Sequence, residues 1–528
     1  MKKLILIIIS VFYLIGTDAL KAQYVRTEQF RNERERRQQY ALDDWISYLP
    51  AKQIVRIAVG RNYIYFATLD GGILRYELFQ NYWDYPFTTS NGLISNRVLD
   101  VAYDFSNSLL WAVTDLDTCV FKPAEQEWVC LSRSGVYWPY KFPEKKMPDT
   151  SGQIEHNIFY SGQFLDKLPH FFANGEWTMV ESWKVMDENF DEYSITGFLR
   201  DDWERVWMII EGLGVGIGNF YSQRIDVVPF GLTTIEPRII TYKENDLWIG
   251  GEPYEEGPGH PGIVNWRDHD GGWKYFQARW ISNLPTDNVR DIEVTGDSVW
   301  FATDYGLILY NTRKNSWKNY DQRQGLFSRD VLDLISHDSK LYIGTDRGIN
   351  IIDFNLDSLW RVKDDDIILA TINRLAVQED TIWAATNRGL FRSPPDTNDW
   401  QQVVPETAIN ELPALAIVSH KKEMWFTSSQ GVFWMDSQTG QWHSFPQLGM
   451  NISGPFFDLK VNDISVWVSS PEGLLKYDRQ RYYWKLFTTA DGLLDNECHR
   501  LLLEGDYIWI ANRSGITQFY WNNPNRID

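Results

Sequence analysis

The sequence predicts an all-β protein built of β-propeller blades, because one short phrase recurs eleven times along the chain. The phrase consists of an apolar residue, an aromatic residue, two or three small or apolar residues and usually a glycine. Its aromatic residues are Tyr65, Trp111, Phe159, Trp207, Trp248, Trp300, Tyr342, Trp383, Trp425, Trp467 and Trp509. From Trp300 onward the steps between them are 41 or 42 residues, a period typical of propeller blades.

The repeat at residues 287–321 shows how one unit becomes a blade. Its apolar and polar residues alternate with a period of two, and turn residues separate four short segments. The expected strands cover 288–294, 298–303, 307–310 and 316–320. Gly306 lies between the second and third strands, where a tight turn often requires a positive φ. Four antiparallel strands per repeat are typical of a propeller blade.

The two ends of the chain indicate how a ring closes. Residues 44–48 match an outer strand with no blade before it, and the final repeat ends after its third strand. The early strand can therefore complete an incomplete blade and remove an open sheet edge. Because propellers usually have four to eight blades, eleven blades favour two tandem rings over one large ring, which stays as the alternative.

The expected division is a signal peptide at 1–22, a linker at 23–43, a first propeller of about five blades at 44–270 and a second of about six at 271–528. In this arrangement Trp45–Tyr48 closes the first ring, and residues 273–276 complete the final blade. A division into four and seven blades, with its boundary near 224–227, is left open.

The first residues resemble a secretory signal peptide. Two lysines precede an apolar run from Leu4 to Gly16, and cleavage is expected after Ala22. The run is shorter than the roughly 20 residues that span a bilayer. We therefore expect a periplasmic or secreted protein with no integral membrane segment after signal removal. The formal net charge of −20 argues against nucleic acid and anionic lipid as partners.

Two of the three cysteines flank an expected hairpin. Pairing Lys122 with Glu127 places Cys119 opposite Cys130, and directly opposed strand residues are close enough for a disulfide. An oxidising compartment would permit that bond, and two buried thiols in adjacent strands are the alternative. Cys498 is expected to be a core residue.

Several phrases resemble the two-component regulator propeller repeat. Residues 300–307 and 342–349 are similar to the core of that repeat, and residues 91–98 and 491–496 are similar to its turn and inner strand. In that family, paired propellers form the periplasmic sensor region of hybrid histidine kinases and often detect oligosaccharides. A propeller component of the type IX secretion apparatus is similar in layout. The resemblance implies a binding or scaffold role, and because no kinase follows the repeats, kinase activity is not expected.

No motif in the sequence indicates catalysis. There is no nucleophile elbow, zinc-protease helix, EF-hand loop or phosphate-binding glycine loop, and the eight histidines are scattered. The acidic run 364–366 could serve a glycosidase, but such runs are typical of solvated turns. We expect a protein that is not an enzyme and has no cofactor or metal. A carbohydrate-active enzyme remains the minor alternative.

The expected binding surface is the face that carries the turns between second and third strands and the connections between blades. Departures from the repeat on this face are the best functional signal, because loops on a rigid scaffold carry function. Two departures combine aromatic and polar groups that could stack on a sugar ring and bond its hydroxyls. The candidate ligand-binding residues are Tyr137, Trp138, Tyr140, Tyr254, Glu255 and His260. The expected partner is a glycan or peptide ligand, with a scaffold role that binds an envelope protein as the alternative.

Overall fold

The computed structural model describes most of the chain as antiparallel β-sheet. The described residues are 36–132, 168, 171, 177–181, 183–254, 260–267, 272–395, 397, 399–403, 412–446, 452 and 454–526. No helix in this part of the chain has the length and hydropathy needed to span a bilayer. The fold is that of a β-propeller protein, as the repeats predict.

The N-terminal part has one separate strand and three sheets. The strand is β1 (Trp45–Tyr48). The first sheet contains β2 (Ile54–Val59), β3 (Tyr63–Thr68), β4 (Ile73–Glu77) and β5 (Trp83–Phe87). A 3-10 helix, Thr89–Asn91, precedes the second sheet. That sheet contains β6 (Val98–Asp104), β7 (Leu109–Thr114), β8 (Thr118–Lys122) and β9 (Glu127–Cys130). The third sheet has six strands: β10 (Thr178–Glu181), β11 (Lys184–Met186), β12 (Glu192–Arg200), β13 (Arg205–Ile210), β14 (Gly214–Asn219) and β15 (Arg224–Val228).

The C-terminal part has six complete four-stranded blades and a last group of three strands. The first three blades are β16 (Ile235–Lys243), β17 (Asp246–Pro253), β18 (Ile263–Arg267), β19 (Gly272–Phe276), β20 (Val289–Thr295), β21 (Ser298–Thr303), β22 (Gly306–Asn311), β23 (Ser316–Tyr320), β24 (Val331–His337), β25 (Lys340–Thr345), β26 (Gly348–Asp353) and β27 (Ser358–Arg361). The next three are β28 (Ile372–Gln378), β29 (Thr381–Thr386), β30 (Gly389–Ser393), β31 (Gln401–Val403), β32 (Ala414–His420), β33 (Glu423–Ser428), β34 (Gly431–Asp436), β35 (Trp442–Pro446), β36 (Asp458–Val461), β37 (Ser465–Ser470), β38 (Gly473–Asp478) and β39 (Tyr483–Phe487). The last group is β40 (Cys498–Glu504), β41 (Tyr507–Asn512) and β42 (Gly515–Tyr520).

The blade predicted in detail is confirmed. Strands β20, β21, β22 and β23 pair in sequence order, and each lies within one or two residues of its expected bounds. Gly306 has the positive φ, 118°, that the turn was expected to need. A Cβ atom at this position would lie 2.4 Å from the carbonyl oxygen of Tyr320, so the turn requires glycine for both its conformation and its space.

The early strand β1 completes the last blade. It pairs antiparallel with β42, and Trp45 lies opposite Phe519. The expectation that residues 45–48 close the first ring and that residues 273–276 complete the final blade is wrong, because β1 pairs with β42 and residues 273–276 belong to β19, which pairs with β18 of its own blade. The indole of Trp45 is fully buried and stacks on the ring of Phe519 at a centroid distance of 3.7 Å. Burial of these two rings fixes the early strand to the final one.

The first strands of seven successive blades form a closed cycle in the C-terminal part. Strand β16 packs against β20, the contacts continue through β24, β28, β32 and β36 to β40, and β40 packs back against β16. In the N-terminal part β2 packs against both β6 and β12. The expected boundary at residue 270 does not agree with these contacts. The blade at 235–276 packs between the last blade and the blade of β20, so it belongs to the C-terminal cycle. The contacts agree with the four-plus-seven alternative, which we carry forward as a proposal for the domain division.

An aromatic core joins the N-terminal part to the C-terminal part. The ring of Phe230 lies 4.9 Å from Trp83 on β5 and 5.4 Å from Trp273 on β19. Lys52 is buried beside it, and its ammonium donates to the carbonyl oxygen of Phe230 and to the hydroxyl of Tyr275, both at 3.0 Å. Burial lowers the pKa of Lys52 to about 7, although the nearby carboxylate of Asp70 partly opposes this effect.

The hairpin of β8 and β9 has the predicted register. Cys119 lies opposite Cys130, Lys122 lies opposite Glu127, and a disulfide joins the two cysteines. Cys498 is a buried free thiol, and burial raises its pKa well above the usual value. The repeat centred on Phe159 lies outside the described residues.

Candidate functional site

One face of the C-terminal ring carries both the turns between second and third strands and the connections between blades; we call it the connection face. A recurring hydroxyl holds several of these turns in shape, as Thr303 Oγ1 donates to the carbonyl oxygen of Gly306 at 2.7 Å and Thr345 Oγ1 to that of Gly348 at 2.8 Å. Two residues lie between the hydroxyl and the glycine in each turn. Since the backbone of the turn is fixed, these two positions can vary without altering the blade.

A cleft of about 420 Å³ opens on the connection face between the blades of β20–β23 and β24–β27. We call it the Tyr305 cleft. The turns after β21 and β25 and the connection after β23 supply its lining. The lining residues are Asp304, Tyr305, Gln322, Phe327, Ser328, Arg329, Asp330, Asp346 and Arg347. Its size lies in the usual range for small-molecule sites.

Two carboxylates at equivalent turn positions line the cleft. Asp304 Oδ2 accepts a hydrogen bond from Asn288 Nδ2 at 3.3 Å, and Asp346 Oδ2 lies 3.6 Å from the guanidinium of Arg347. The Oδ1 atoms of both aspartates are shielded from solvent and have no donor among the described residues. An unpaired buried acceptor costs roughly 1–3 kcal/mol, so a ligand that supplies a donor to either oxygen would gain binding energy.

An aromatic platform with an arginine forms the other side of the cleft. The ring of Tyr305 is 49% exposed, and the guanidinium of Arg329 lies 5.1 Å from its centroid. Arg290 forms an ion pair with Asp330, which neutralises that carboxylate at the cleft wall. The arrangement offers a stacking surface, hydrogen-bond acceptors and cationic donors to a bound ligand.

Buried charges link the first strands of several blades of the C-terminal cycle. Arg500 on β40 reaches Asp291 on β20 at 2.5 Å and Asp333 on β24 at 3.3 Å. Arg374 also pairs with Asp333, at 3.0 Å. Burial raises the pKa of Asp291 and raises that of Asp333 well above its usual value, where the nearby Asp291 carboxylate adds to the effect. This network ties the first strands of four blades together.

A second polar cluster lies at the seam where the last blade meets the blade of β16. Arg238 and the Nδ1 atom of His499 are 3.1 Å apart, and His499 Nε2 lies 2.9 Å from Glu236 Oε1. Since the guanidinium can only donate, Nδ1 accepts and the Nε2–H donates to Glu236. Burial lowers the pKa of His499 to about 4, and Arg238 contributes to that shift, so the ring is neutral near pH 7.

The seam cluster is the one place in the described chain where three potential metal ligands, Glu236, Glu497 and His499, come within 4.8 Å of one another. A metal on Nε2 would need the proton moved to Nδ1, where Arg238 donates. Arg238 also pairs with Glu236 at 2.7 Å, and Arg513 lies 3.6 Å from Glu497. The cations already present compete with a metal ion, so this cluster is best described as an ion-paired seam.

The residues expected to bind ligand fall in different places. Tyr254 lies at the seam, where its hydroxyl donates to the carbonyl oxygen of Arg513 at 2.7 Å, and burial, with Glu236 next, raises its pKa. His260 is exposed, and burial of part of its ring and the nearby Arg279 lower its pKa. The structure does not place either residue in the Tyr305 cleft. The other four, Tyr137, Trp138, Tyr140 and Glu255, lie outside the described residues.

Sequence reasoning missed the Tyr305 cleft because it searched for insertions. The cleft is made by substitutions at the two variable turn positions and by the connection that contains Arg329. Comparison of these turn positions between repeats could have indicated it, since Asp304 and Asp346 recur while the neighbouring blades have Asn387 and Ser429.

Comparison with known proteins finds solved structures that are similar to this chain in fold. No protein-family model and no curated protein matches the chain. The extracellular domain of the putative hybrid two component system BT4673 from B. thetaiotaomicron is 13% identical, with 89% of this chain and 70% of that chain covered and a TM-score of 0.46. PorZ, a surface component of the type IX secretion system of Porphyromonas gingivalis, is 13% identical, with 89% and 74% covered and a TM-score of 0.46.

A third solved structure, the extracellular domain of the putative hybrid two component system BT3049 from B. thetaiotaomicron, is 14% identical. The alignment covers 92% of this chain and 78% of that chain, with a TM-score of 0.40.

Proposed function

We propose that this chain is an exported, non-catalytic binding protein of the cell envelope, and that it holds a small polar ligand in the Tyr305 cleft. The observation that carries the proposal is the cleft itself, which is lined by an exposed tyrosine ring and by two aspartates that each have one oxygen without a donor among the described residues. An apolar or aromatic wall with a few convergent polar groups is typical of ligand sites. The signal-like N-terminus and the resemblance to sensor propellers support export.

A ligand screen by thermal shift tests this proposal. The full mature chain is heated with panels of oligosaccharides and short peptides, and a ligand of the folded state should raise the unfolding temperature in a concentration-dependent way. Tyr305→Ala should abolish the rise. Gln430→Ala is the matched control, because Gln430 occupies the same turn position three blades further on and is also exposed. Equal ligand responses of the two variants would contradict the location.

A scaffold role is the second candidate, favoured by an exposed aromatic pair on the first ring. Phe79 is 60% exposed, Trp203 is 43% exposed, and their rings meet edge to face at 5.6 Å. Such a pair could anchor a protein partner. A scaffold would lose its envelope partner in Phe79→Ser and keep it in Tyr305→Ala. The opposite pattern supports the ligand-binding proposal.

A further inference from the structure

The charges of the Tyr305 cleft divide into two opposite pairs. The lining contains three carboxylates and two guanidiniums, and Arg290 neutralises the carboxylate of Asp330. Asp304 and Asp346 form the negative pair and Arg329 and Arg347 form the positive pair, and Arg347 and Asp346 already contact each other at 3.6 Å. The cleft is therefore close to neutral overall but strongly polar within a small volume.

The negative pair is suited to an ammonium group. Asp304 and Asp346 each have one oxygen that lacks a donor from the described residues, and an ammonium carries three donors. These two oxygens are shielded from solvent, but each aspartate side chain is partly exposed and lines the cleft. A charged donor makes a stronger hydrogen bond to a carboxylate than a neutral hydroxyl does.

The positive pair is suited to a carboxylate. Both guanidiniums are exposed, and Arg329 has no carboxylate partner among the described residues, since its contact is with the ring of Tyr305. Arg347 lies 3.6 Å from Asp346, a separation that leaves most of its donors free. The planar fork of arginine matches a carboxylate in a bidentate pair.

We infer that the Tyr305 cleft takes a zwitterionic ligand of the short-peptide class, with its ammonium group between Asp304 and Asp346 and its carboxylate against Arg329 and Arg347. The inference rests on the proposed function and names the ligand class for the same cleft. A neutral sugar would satisfy the acceptors but leave both guanidiniums without an anion. A polyanion would meet Asp304 and Asp346, and a polycation would meet the two arginines. A volume of about 420 Å³ holds about two or three amino-acid residues.

Isothermal titration of the full mature chain with tripeptides tests the inference. The probes are Ala-Ala-Ala and Ala-Tyr-Ala, each as the free peptide, the N-acetyl peptide, the C-terminal amide and the doubly blocked peptide. We expect the free peptide to bind and either single block to weaken binding about tenfold or more, since each removes one charge-assisted contact. A panel of neutral oligosaccharides is titrated in parallel.

Two near-isosteric variants assign the ends of the peptide. Asp304→Asn should weaken the free peptide but have little effect on the N-acetyl peptide, which has already lost its ammonium. Arg329→Gln should weaken the free peptide but have little effect on the amide. Gln430→Ala should change none of these affinities.

The outcomes separate the inference from the proposed function. Binding of a neutral oligosaccharide that depends on Tyr305, with no peptide response, overturns the zwitterion and leaves the cleft as a ligand site. Peptide binding that is unaffected by terminal blocks also overturns the inference. A full panel with no response to any probe overturns both.

Discussion

Replacement of Trp45 by alanine should open the seven-bladed ring at its last blade. The indole of Trp45 is fully buried, and it contacts Phe519, Phe487 and Tyr40 at centroid distances of 3.7, 5.9 and 5.8 Å. A buried tryptophan covers about 150–250 Å² of surface. Truncation of such a residue to alanine typically costs about 3–5 kcal/mol, because it removes apolar burial and leaves a cavity.

The loss should appear first in the last blade and not in the first ring. Strand β1 lies more than 460 residues from its partner β42 along the chain, so the chain itself does not hold the two strands together once their packing fails. We expect denaturant-induced unfolding to show the loss of free energy, and hydrogen exchange to show faster exchange in β42 and β41. Strands β2 to β5 should retain their protection.

Trp317→Ala is the matched control for this experiment. Trp317 occupies the same outer-strand position opposite Tyr310, but it is partly exposed and its strand is contiguous with its blade. Its truncation should cost less than that of Trp45. A smaller loss in Trp45→Ala than in Trp317→Ala, or faster exchange in β2 to β5 while β42 stays protected, would refute the assignment of β1 to the last blade.

Two further predictions concern buried charges. Because burial lowers the pKa of Lys52 to about 7, the unfolded chain binds more protons than the folded chain from about pH 7 to about pH 10.5, and stability should rise with pH across that window. Denaturant unfolding at about pH 7 and about pH 9.5 should show this gain in the native chain and not in Lys52→Met; parallel pH dependences would contradict it. Arg500→Met removes the cation that pairs with Asp291 and Asp333, so it should lower the free energy of unfolding by about 3–5 kcal/mol. Adding Asp291→Asn removes one of the carboxylates left without Arg500 and should recover part of that loss. A double variant as unstable as the single variant would count against the network.

Local patterns predicted local structure well. Strands β20 to β23 follow from alternation and turn residues, because both signals lie within one repeat. The register that places Cys119 opposite Cys130 follows from a single hairpin, because the length of the turn sets which residues pair.

The order of packing around the rings could not be predicted from these patterns. Residues 44–48 and residues 273–276 both have the composition of an outer strand, so the sequence alone does not tell which of them pairs with β42. Strands β10 and β11 extend the sheet of β12 to six strands, which the four-strand pattern of the repeat does not predict.

The candidate site was harder to predict than the fold. Asp304 and Tyr305 look like ordinary turn residues in one repeat, and only packing of the next blade brings Arg329 and Asp346 to the same cleft. Insertions such as that at 252–261 are easier to notice in a sequence, yet Tyr254 uses its hydroxyl in a seam contact with Arg513.

Hydrogen–deuterium exchange of the full chain, with and without the probe that binds most strongly, would locate the ligand site. The bound probe should slow exchange at 304–306, 327–330 and 346–348, three segments that line the Tyr305 cleft. Slowed exchange concentrated at 136–142 or 252–261, with the cleft segments unchanged, would contradict this location.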